Sequence, residues 1–206
     1  MELKRPIVAA FDFDITITDR DTFLPFLKLA FGSLLLNKVL LSMAFDGLSF
    51  ALGFINRDQF KKKLIQKLFT GCSTESMTEI GKLHAIHIEQ WLRPSALARI
   101  QWHKERGDRL IMVSASLDIY LKPVAEKLGF DNLLCTQLSS YNHLYDGDLV
   151  GLNCRGPEKI VRLNELLGSL SKFELYSYGD STGDKELLKA ADHPFYRAFE
   201  QGGALY

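Results

Sequence analysis

Short apolar runs that alternate with helical patterns constrain the fold of this 206-residue chain most strongly. Each run is bounded by Gly, Asp, Ser or Pro, which is typical of buried strands. The predicted strands lie at residues 6–14, 108–116, 132–140, 173–180 and 194–199. Helical patterns lie between most of them, and one begins at Pro157, because proline favours the first turn of a helix. This alternation predicts an α/β fold with a mainly parallel five-stranded sheet flanked by helices.

Two local signals depart from this simple alternation. The segment 140–154 has alternating residues around Asp146-Gly147, and this pair predicts the turn of a β-hairpin. Pro123 lies inside the helical pattern 117–130, where it predicts either a kink or the start of a second helix. Each signal therefore predicts a local boundary without changing the fold class.

A long interval separates the first two predicted strands. It covers about ninety residues, which is too far for a single crossover helix. Amphipathic helical patterns at 57–69 and 73–92 occupy much of it. We therefore expect a helical cap domain at residues 18–93, inserted into a core domain formed by residues 1–17 and 94–206.

The segment 29–55 within the expected cap is strongly apolar. Lys38 and Asp46 interrupt it, so no uncharged stretch reaches the roughly 18 residues that a membrane-spanning helix needs. We interpret it as a buried helical hairpin, with contact to a membrane or to a second copy of the chain as the less favoured alternatives. Both a monomer and a homodimer agree with this interpretation.

Two further clusters in the cap have structural interpretations. His84 and His87 have a spacing that permits metal binding, but no third ligand is near in sequence. We expect both to be partly exposed helix residues. The lysine run 61–63 predicts a solvated face, with attraction to an anionic substrate or to a lipid headgroup as the minority interpretation.

Composition narrows the class of protein. The 25 Lys and Arg residues balance the 25 Asp and Glu residues, so no overall attraction to nucleic acid is expected. The three cysteines, Cys72, Cys135 and Cys154, are sparse and unpaired in spacing, which is typical of reduced thiols. The apolar run near the N-terminus is short and ends in two acids, so we expect no signal peptide and a cytoplasmic location.

Acidic residues follow two of the predicted strands. In a parallel α/β sheet, ligands bind at the carboxyl ends of the strands. Asp12 and Asp14 leave the first strand on one face, where two bare carboxylates would repel each other. Mg²⁺ would remove this conflict, and Asp180 offers a further carboxylate. The structural alternative is that the two aspartates only cap a turn.

Other polar residues near strand ends have both structural and functional interpretations. Ser181 and Asp184 match a capping box before a helix, which is the simpler interpretation of Asp184. Ser114 lies near the end of the second strand, where a hydroxyl and a helix start also favour anion binding. Lys159 lies in the first turn of a helix, where a nearby phosphate would offset its unfavourable interaction with the helix dipole.

Four segments taken together resemble a known family. "FDFDITIT" (11–18), "LIMVSAS" (110–116), Lys159 within 151–163 and "YGDSTGD" (178–184) resemble the four ordered motifs of the haloacid dehalogenase superfamily. The helical insert between the first two motifs is similar to the cap of its phosphoserine phosphatase-like subfamily IB. This resemblance implies a Rossmann-like core. Ile15 departs from the pattern, since many members carry a small or polar residue there.

The resemblance implies an Mg²⁺-dependent phosphomonoester hydrolase that acts on a small phosphorylated metabolite. Asp12 would form an aspartyl-phosphate, and Asp14 would act first as acid and then as base. Lys159 would offset the charge of the transition state.

The resemblance also assigns binding and supporting roles. Asp12, the carbonyl of Asp14 and Asp180 would hold Mg²⁺. Asp184 would orient Lys159 or a metal-bound water. The remaining residues would steady the loop, bind phosphate and substrate, or support Asp184: Thr16, Asp21, Ser114, Ala115 and Ser181.

The substrate is the least constrained part of the prediction. Asp21 stands where phosphoserine phosphatases carry a glutamate, which keeps the charge but shortens the reach. No arginine matches the position of the cap arginine that binds the substrate carboxylate in that group, although Arg57 is nearby. Phosphoserine is therefore an alternative that is not favoured. A lipid phosphate is another alternative, because a phosphatidylglycerophosphatase of the same subclass also has an apolar cap. A phosphotransferase and a catalytically silent binding module are the remaining alternatives.

Overall fold

The computed structural model describes residues 5–199 and contains a central five-stranded sheet. The strands are β1 (Ile7–Phe11), β2 (Arg109–Leu117), β3 (Asn132–Thr136), β4 (Leu138–Tyr141), β5 (Leu144–Leu149), β6 (Glu174–Gly179) and β7 (His193–Tyr196). The central sheet has the order β3-β2-β1-β6-β7, and all four pairings are parallel. The predicted α/β fold class is confirmed.

Residues 5–199 form eight α-helices. They are α1 (Phe23–Ser42), α2 (Ala44–Ala51), α3 (Arg57–Phe69), α4 (Thr74–Ile88), α5 (Pro94–Glu105), α6 (Asp118–Leu128), α7 (Pro157–Leu167) and α8 (Lys185–Ala190). The first four lie between β1 and β2, as the long interval in the sequence predicts. Asn56 and Ser73 cap α3 and α4 by accepting hydrogen bonds from backbone N–H groups, so local sequence defines these helix starts.

Both faces of the central sheet are buried. Ala9 and Phe11 of β1 pack in one apolar cluster, whereas Val8 and Ala10 pack in a second cluster on the opposite face. This arrangement explains why β1 is a continuous apolar run rather than an alternating one. In register, Phe11 at the carboxyl end of β1 is aligned with Tyr178 near the end of β6 and with Met112 of β2, which continues beyond this point to Leu117.

The predicted third strand, residues 132–140, is divided between two sheets. Residues up to Thr136 join the central sheet as β3, and residues from Leu138 form β4 of an antiparallel hairpin with β5. The hairpin is confirmed, but its turn is at Asn142 and His143 and not at the predicted Asp146-Gly147. Asn142 and His143 have positive φ, 50° and 63°, as both central residues of a type I′ hairpin turn require.

Gly147 has a different purpose from the predicted turn. It lies within β5, where the backbone of the hairpin approaches α3 closely. A Cβ atom at Gly147 would lie 2.1 Å from Oγ1 of Thr70 and 3.1 Å from the Cα atom of Gln66. The glycine therefore permits contact between the hairpin and the helical insert.

The hairpin is hydrogen-bonded to the insert through its backbone. Gly71 N donates to Tyr145 O (2.8 Å), and Tyr145 N donates to Cys72 O (2.9 Å). Thr74 N donates to His143 O (2.9 Å). These bonds join the edge of β5 to the loop between α3 and α4.

Pro123 lies within α6, which continues from Asp118 to Leu128. The alternative in which a second helix begins at Pro123 is therefore wrong. A proline cannot donate to the carbonyl four residues earlier, which here belongs to Ile119. The Ile119 carbonyl therefore accepts no hydrogen bond from residue 123 of its own helix. At this carbonyl α4 packs closely against α6, since a Cβ atom on Gly81 of α4 would lie 2.4 Å from its oxygen.

The apolar segment 29–55 is helical as predicted, but the prediction that it is buried is wrong. Gly32 breaks α1 with φ 72° and ψ 153°. Beyond it, residues 33–54, which we term the apolar arm, keep only Leu36 and Met43 fully buried. The following large apolar side chains of the arm are exposed: Leu34, Leu35, Leu41, Phe45, Leu48, Phe50, Leu52 and Phe54. The arm packs against α3, and this contact leaves its other large apolar side chains in contact with solvent.

Two chain segments connect the insert to the rest of the chain, and they lie side by side. Asp19 N donates to Trp91 O (2.8 Å), and Arg93 N donates to Ile17 O (2.8 Å). The division into a core domain (1–17 and 94–206) and a cap domain (18–93) remains a proposal. This paired crossing at the proposed boundaries supports it.

Candidate active site

A cavity of about 470 Å³ lies between the carboxyl edge of the central sheet and the helical insert. Its floor carries mostly charged and hydroxyl side chains, among them Asp12, Asp14, Ser114, Lys159, Asp180 and Asp184. Its roof is mostly apolar and comes from the insert, with Phe23, Leu24, Leu40, Phe60 and Leu64. The polar residues predicted from four separate motifs therefore meet in one cavity.

Asp12 is the first residue after β1. Its N–H donates to Tyr178 O (2.9 Å), which extends the pairing with β6 by one residue and fixes the direction of the side chain. The hydroxyl of Thr16 donates to Oδ2 of Asp12 (3.2 Å) and lies 3.3 Å from Oδ1 of Asp180. Thr16 thus links the carboxylates that follow β1 and β6.

Lys159 is a fully buried lysine at 1% exposure, in the first turn of α7. Its Nζ atom lies 2.5 Å from Oδ1 of Asp12 and 2.5 Å from Oδ1 of Asp184. Burial alone would lower the pKa of Lys159, but these two carboxylates raise it above its ordinary value. The lysine is therefore held as a cation between two acids.

The two partners of Lys159 have different electrostatic surroundings. Burial raises the pKa of Asp12 to about 8, although Lys159 opposes this shift. The pKa of Asp184 is lowered despite burial, because Lys159 and Ser181 stabilise its charge. Asp184 is accordingly the permanent counter-ion of the lysine, whereas Asp12 needs a further positive charge to remain ionised.

Asp184 also has the structural role that the sequence predicts. Its Oδ2 atom accepts from Ser181 N (3.0 Å) and from Ser181 Oγ (2.8 Å), while Gly183 N donates to Ser181 Oγ (3.1 Å). This is the capping box. Since Oδ1 contacts Lys159, one side chain both closes the turn after β6 and fixes the lysine.

The donor set of the floor fits Mg²⁺. Asp12, Asp180 and Asp184 are buried, and each offers a carboxylate oxygen within 4.8 Å of the others. Burial and the neighbouring Asp184 also raise the pKa of Asp180. A cluster of three acids with one lysine is short of positive charge, and oxygen-only donors favour Mg²⁺. Of the predicted ligands, Asp12 and Asp180 belong to this cluster.

The carboxylate of Asp14 points to a different set of partners. Its Oδ1 atom accepts from Thr22 N (2.7 Å) and Thr22 Oγ1 (2.6 Å), and its Oδ2 atom accepts from the hydroxyl of Ser116. Burial and the nearby Asp21 raise the pKa of Asp14. Neither Thr22 nor Ser116 is a predicted site residue. Ser116 follows Ser114 by two residues in the same strand and so lies on the same face, and this spacing was a signal that could have identified it.

Ser114 and Ala115 lie in β2 beside the cavity. The Ser114 hydroxyl accepts from Ser116 N (3.0 Å). The Ala115 carbonyl accepts from Nζ of Lys61 (2.5 Å), so it is already bound by a residue of the insert. Ser114 therefore lies on the floor as predicted, whereas the carbonyl of Ala115 faces α3.

Lys61 connects the insert to the floor, and its predicted position on a solvated face is wrong. Besides Ala115, its Nζ atom donates to Oδ1 of Asn153 (3.0 Å). Asn153 Nδ2 in turn donates to Oδ1 of Asp58 (2.6 Å). Burial lowers the pKa of Lys61 to about 8, although Asp14 opposes this shift. Within the lysine run, only Lys62 and Lys63 are exposed.

Charged residues also lie at the rim of the cavity. Asp21 accepts from Leu24 N (3.0 Å) at the start of α1, and Arg57 and Arg155 line the opening. Nζ of Lys61 lies 4.8 Å from the ring centroid of Phe23. The rim therefore presents both signs of charge beneath an apolar roof.

Comparison with known proteins assigns the chain to a family. Residues 9–189 match the family model of the haloacid dehalogenase-like hydrolases. The chain belongs to this family. The resemblance inferred from the four motifs is therefore confirmed, and the floor of the cavity is the motif-bearing region of a haloacid dehalogenase-like hydrolase.

Curated relatives of this hydrolase cover much of its length. Protein CicA of Caulobacter vibrioides is 34% identical over 202 residues, which are 94% of this chain and 87% of the relative. A probable phosphatase of Mycobacterium tuberculosis is 27% identical over 90% of this chain and 66% of the relative. A histidinol-phosphatase of Neisseria meningitidis is 28% identical over 58% of each chain.

Solved structures share the fold of this hydrolase. A Bordetella pertussis protein of unknown function matches with a TM-score of 0.77 and 23% identity, over 91% of this chain and 87% of that one. A phosphoserine phosphatase, solved as an analogue of its phospho-aspartyl intermediate, matches with a TM-score of 0.61 and 23% identity, over 91% and 84%. The phosphoserine phosphatase-like fold is therefore confirmed.

Proposed function

We propose that this hydrolase is an Mg²⁺-dependent phosphomonoesterase that forms an aspartyl-phosphate on Asp12 and acts on a small phosphorylated metabolite. The main support for this proposal is the floor of the cavity, where Nζ of the buried Lys159 lies 2.5 Å from Oδ1 of Asp12 and 2.5 Å from Oδ1 of Asp184. Membership of the hydrolase family and the phosphatases among its relatives support the phosphatase class. We also propose that Asp12, Asp180 and Asp184 surround the metal.

Two neighbouring aspartates divide the chemistry between them. Thr22 and Ser116 hold the Asp14 carboxylate, so Asp12 is the aspartate available as nucleophile. An oxygen of Asp12 bonds to phosphorus while the bond to the ester oxygen breaks. Asp14, whose pKa burial raises, donates its proton to the departing oxygen.

The second half of the reaction reverses the role of Asp14. As a carboxylate, it accepts a proton from water while the water oxygen attacks phosphorus. The bond between phosphorus and Asp12 breaks, inorganic phosphate forms, and the Asp12 carboxylate is restored. Lys159 and the hydroxyl of Ser114 bind phosphoryl oxygens in both steps. When bound, Mg²⁺ would offset the charge of the floor carboxylates and attract a phosphoryl oxygen.

Asp12→Asn tests this proposal. We expect turnover of p-nitrophenyl phosphate to fall at least about 1,000-fold, because an amide oxygen does not form the covalent intermediate. Wild-type activity should disappear with EDTA and return with Mg²⁺. Denaturing mass spectrometry of the wild type should detect phosphate on the peptide that contains Asp12.

Matched controls keep this test interpretable. Asp148→Asn, at an exposed position on β5, should keep full activity, and circular dichroism should be the same for both variants. Activity retained by the folded Asp12→Asn variant would contradict the nucleophile. Activity that EDTA leaves unchanged would contradict the metal.

A lipid-phosphate phosphatase is the second candidate function, and the apolar roof favours it. Phe23, Leu24, Leu40, Phe60 and Leu64 offer an apolar surface opposite the charged floor. Such a cavity suits an ester whose leaving group is apolar. Detergent-dependent hydrolysis of phosphatidic acid, with no hydrolysis of phosphoserine, would select this candidate. The opposite result would select a small polar metabolite.

A further inference from the structure

The apolar arm exposes large side chains at its outer surface. Leu34 and Phe45 are each 86% exposed, Phe54 is 78% exposed and Leu41 is 77% exposed. All four belong to the same 22-residue arm: Leu34 and Leu41 lie in α1, Phe45 in α2 and Phe54 in the bend that follows α2. A contiguous apolar surface in contact with water is unfavourable and marks a site of association.

The arm is also continuous with the roof of the active-site cavity. Leu40 belongs to the arm and lines the cavity. The ring of Phe50 contacts the ring of Phe60, another roof residue, at a centroid distance of 5.7 Å. A surface that docks on the arm would therefore lie next to the roof of the cavity.

The charge around the arm favours an anionic partner. Residues 23–69 contain seven Lys or Arg and two Asp. Lys61 binds inside the cavity, and Lys62 and Lys63 pair with Asp148 and Asp46. Lys28 and Lys38 of α1 and Lys67 of α3 are exposed. Positive charge beside exposed Phe and Leu is the pattern of helices that lie on anionic lipid surfaces.

The geometry indicates a helix pair that lies on a bilayer instead of crossing it. By length and composition α1 alone would be able to span a membrane, with a mean hydropathy of 1.5 over its most apolar window. Gly32 breaks it, however, and the part beyond the break has ten residues, while α2 has eight. A spanning helix needs about 20 residues, so these pieces suit the interface between headgroups and acyl chains.

We propose that the apolar arm docks this hydrolase on the surface of an anionic phospholipid bilayer. Phe45 and Phe54 enter the acyl-chain boundary, and the lysines of α1 and α3 contact the headgroups. A second copy of the chain is a poorer partner, because a symmetric contact would bring the exposed lysines Lys28, Lys38 and Lys67 of one copy towards those of the other. Docking places the active-site cavity next to the lipid surface.

Vesicle co-sedimentation of the full chain tests this proposal. We expect binding to vesicles of equal parts phosphatidylcholine and phosphatidylglycerol, little binding to phosphatidylcholine alone, and weaker binding at higher salt. The double variant Phe45→Ser/Phe54→Ser should partition at least about tenfold less, since it removes two inserting rings. The matched control Ile86→Ser/Tyr141→Ser replaces similarly exposed side chains, at 60% and 75%, and should bind like the wild type.

Three results would overturn the proposal. They are wild-type protein that stays in the supernatant, equal binding by both double variants, and a dimer in analytical ultracentrifugation that Phe45→Ser/Phe54→Ser converts to a monomer. Neither lipid carries a phosphomonoester, so binding is measured without hydrolysis. Turnover of p-nitrophenyl phosphate by the same samples would distinguish a failure of docking from a failure of the phosphatase proposal.

Discussion

The floor of the cavity and the apolar arm both reverse the usual distribution of side chains in a folded protein. The floor buries charge, with Lys159 at 1% exposure between Asp12 and Asp184. The arm exposes apolar rings, with Phe45 at 86%. In the floor, opposite charges compensate one another inside the chain. In the arm, nothing among residues 5–199 covers the outer surface, so the compensation must come from outside.

The largest expected effect comes from removing the cation of the floor. Lys159→Met should lower activity at least about 100-fold and reduce the free energy of unfolding by about 3–5 kcal/mol, because two buried carboxylates lose their counter-ion. Lys127→Met is the matched control, since Lys127 forms a surface pair with Glu89 at 2.5 Å, where both side chains are exposed. We expect it to change stability by less than about 1 kcal/mol in urea denaturation. Equal losses of stability for the two variants would show that water screens the charges of the floor as it does at the surface.

The next effect compares one residue type at a buried and at an exposed position of the cap. Phe26, in the part of α1 before the Gly32 break, is fully buried beside Phe69 and Tyr120. Phe26→Ala should destabilise the protein by about 3–5 kcal/mol, whereas Phe45→Ala should change stability by less than about 0.5 kcal/mol. Thermal and urea denaturation measure both. A large loss for Phe45→Ala would mean that the arm packs inside the molecule and would break the comparison.

His84 extends the comparison to pH. It is buried, its Nε2 atom donates to Thr22 O (2.9 Å), and burial lowers its pKa from 6.5 to about 4. The unfolded chain therefore takes up a proton near pH 6.5, while the folded protein resists it until about pH 4. The stability from this group is present above pH 6.5 and is lost as the pH falls toward 4, by about 2–4 kcal/mol.

Replacement of His84 measures this contribution. His84→Gln keeps a donor for the Thr22 carbonyl and should flatten the loss of stability between pH 7 and 4.5. His87→Gln, three residues along α4, is the control and should leave the slope as in the wild type. The same loss of stability between pH 7 and 4.5 in the wild type and in both variants would contradict the conclusion that burial of His84 opposes its protonation.

The smallest effect concerns strain in the floor. Ile15 has φ 63°, a left-handed conformation that is unfavourable for a β-branched residue. Ile15→Asn should raise the free energy of unfolding by about 1 kcal/mol, since asparagine tolerates this conformation better. Ile15→Ala retains a Cβ atom without the local hydrogen bonds of asparagine and should not gain as much. Urea denaturation measures the difference, and a loss for both variants would place the importance of Ile15 in its contacts.

Sequence reasoning predicted the floor better than the roof, for a physical reason. Asp12, Lys159 and Asp180 each follow or begin a regular element, and parallel topology brings such positions to one edge of the sheet. Thr22 and Ser116, the partners of Asp14, were missed. Thr22 lies in a loop, where a hydroxyl carries no periodic signal, whereas the two-residue spacing from Ser114 to Ser116 was a signal that was not used. Lys61 was missed because it stands in a run of lysines of which the other two are exposed.

The errors in the fold have a similar origin. The run 132–140 leaves the central sheet at Gln137, but no glycine, proline or charged residue marks that point. His84 was expected to be partly exposed, although α4 buries it beneath α1 and α6. The arm was expected to be buried because apolar composition does not reveal how many neighbours the fold supplies.

The bonds between the hairpin and the insert have a mechanical consequence. The two chain crossings, at residues 17–19 and 91–93, would by themselves allow the cap to rotate about one hinge. The three backbone hydrogen bonds between residues 71–74 of the cap and 143–145 of the hairpin attach the cap at a second place and restrict that rotation. Opening must then carry the hairpin along and bend the chain at its two ends, near Gln137 and Val150. Val150 lies three residues from Asn153, which Lys61 of the insert binds, so we expect any movement of the insert to be coupled to bending of the hairpin.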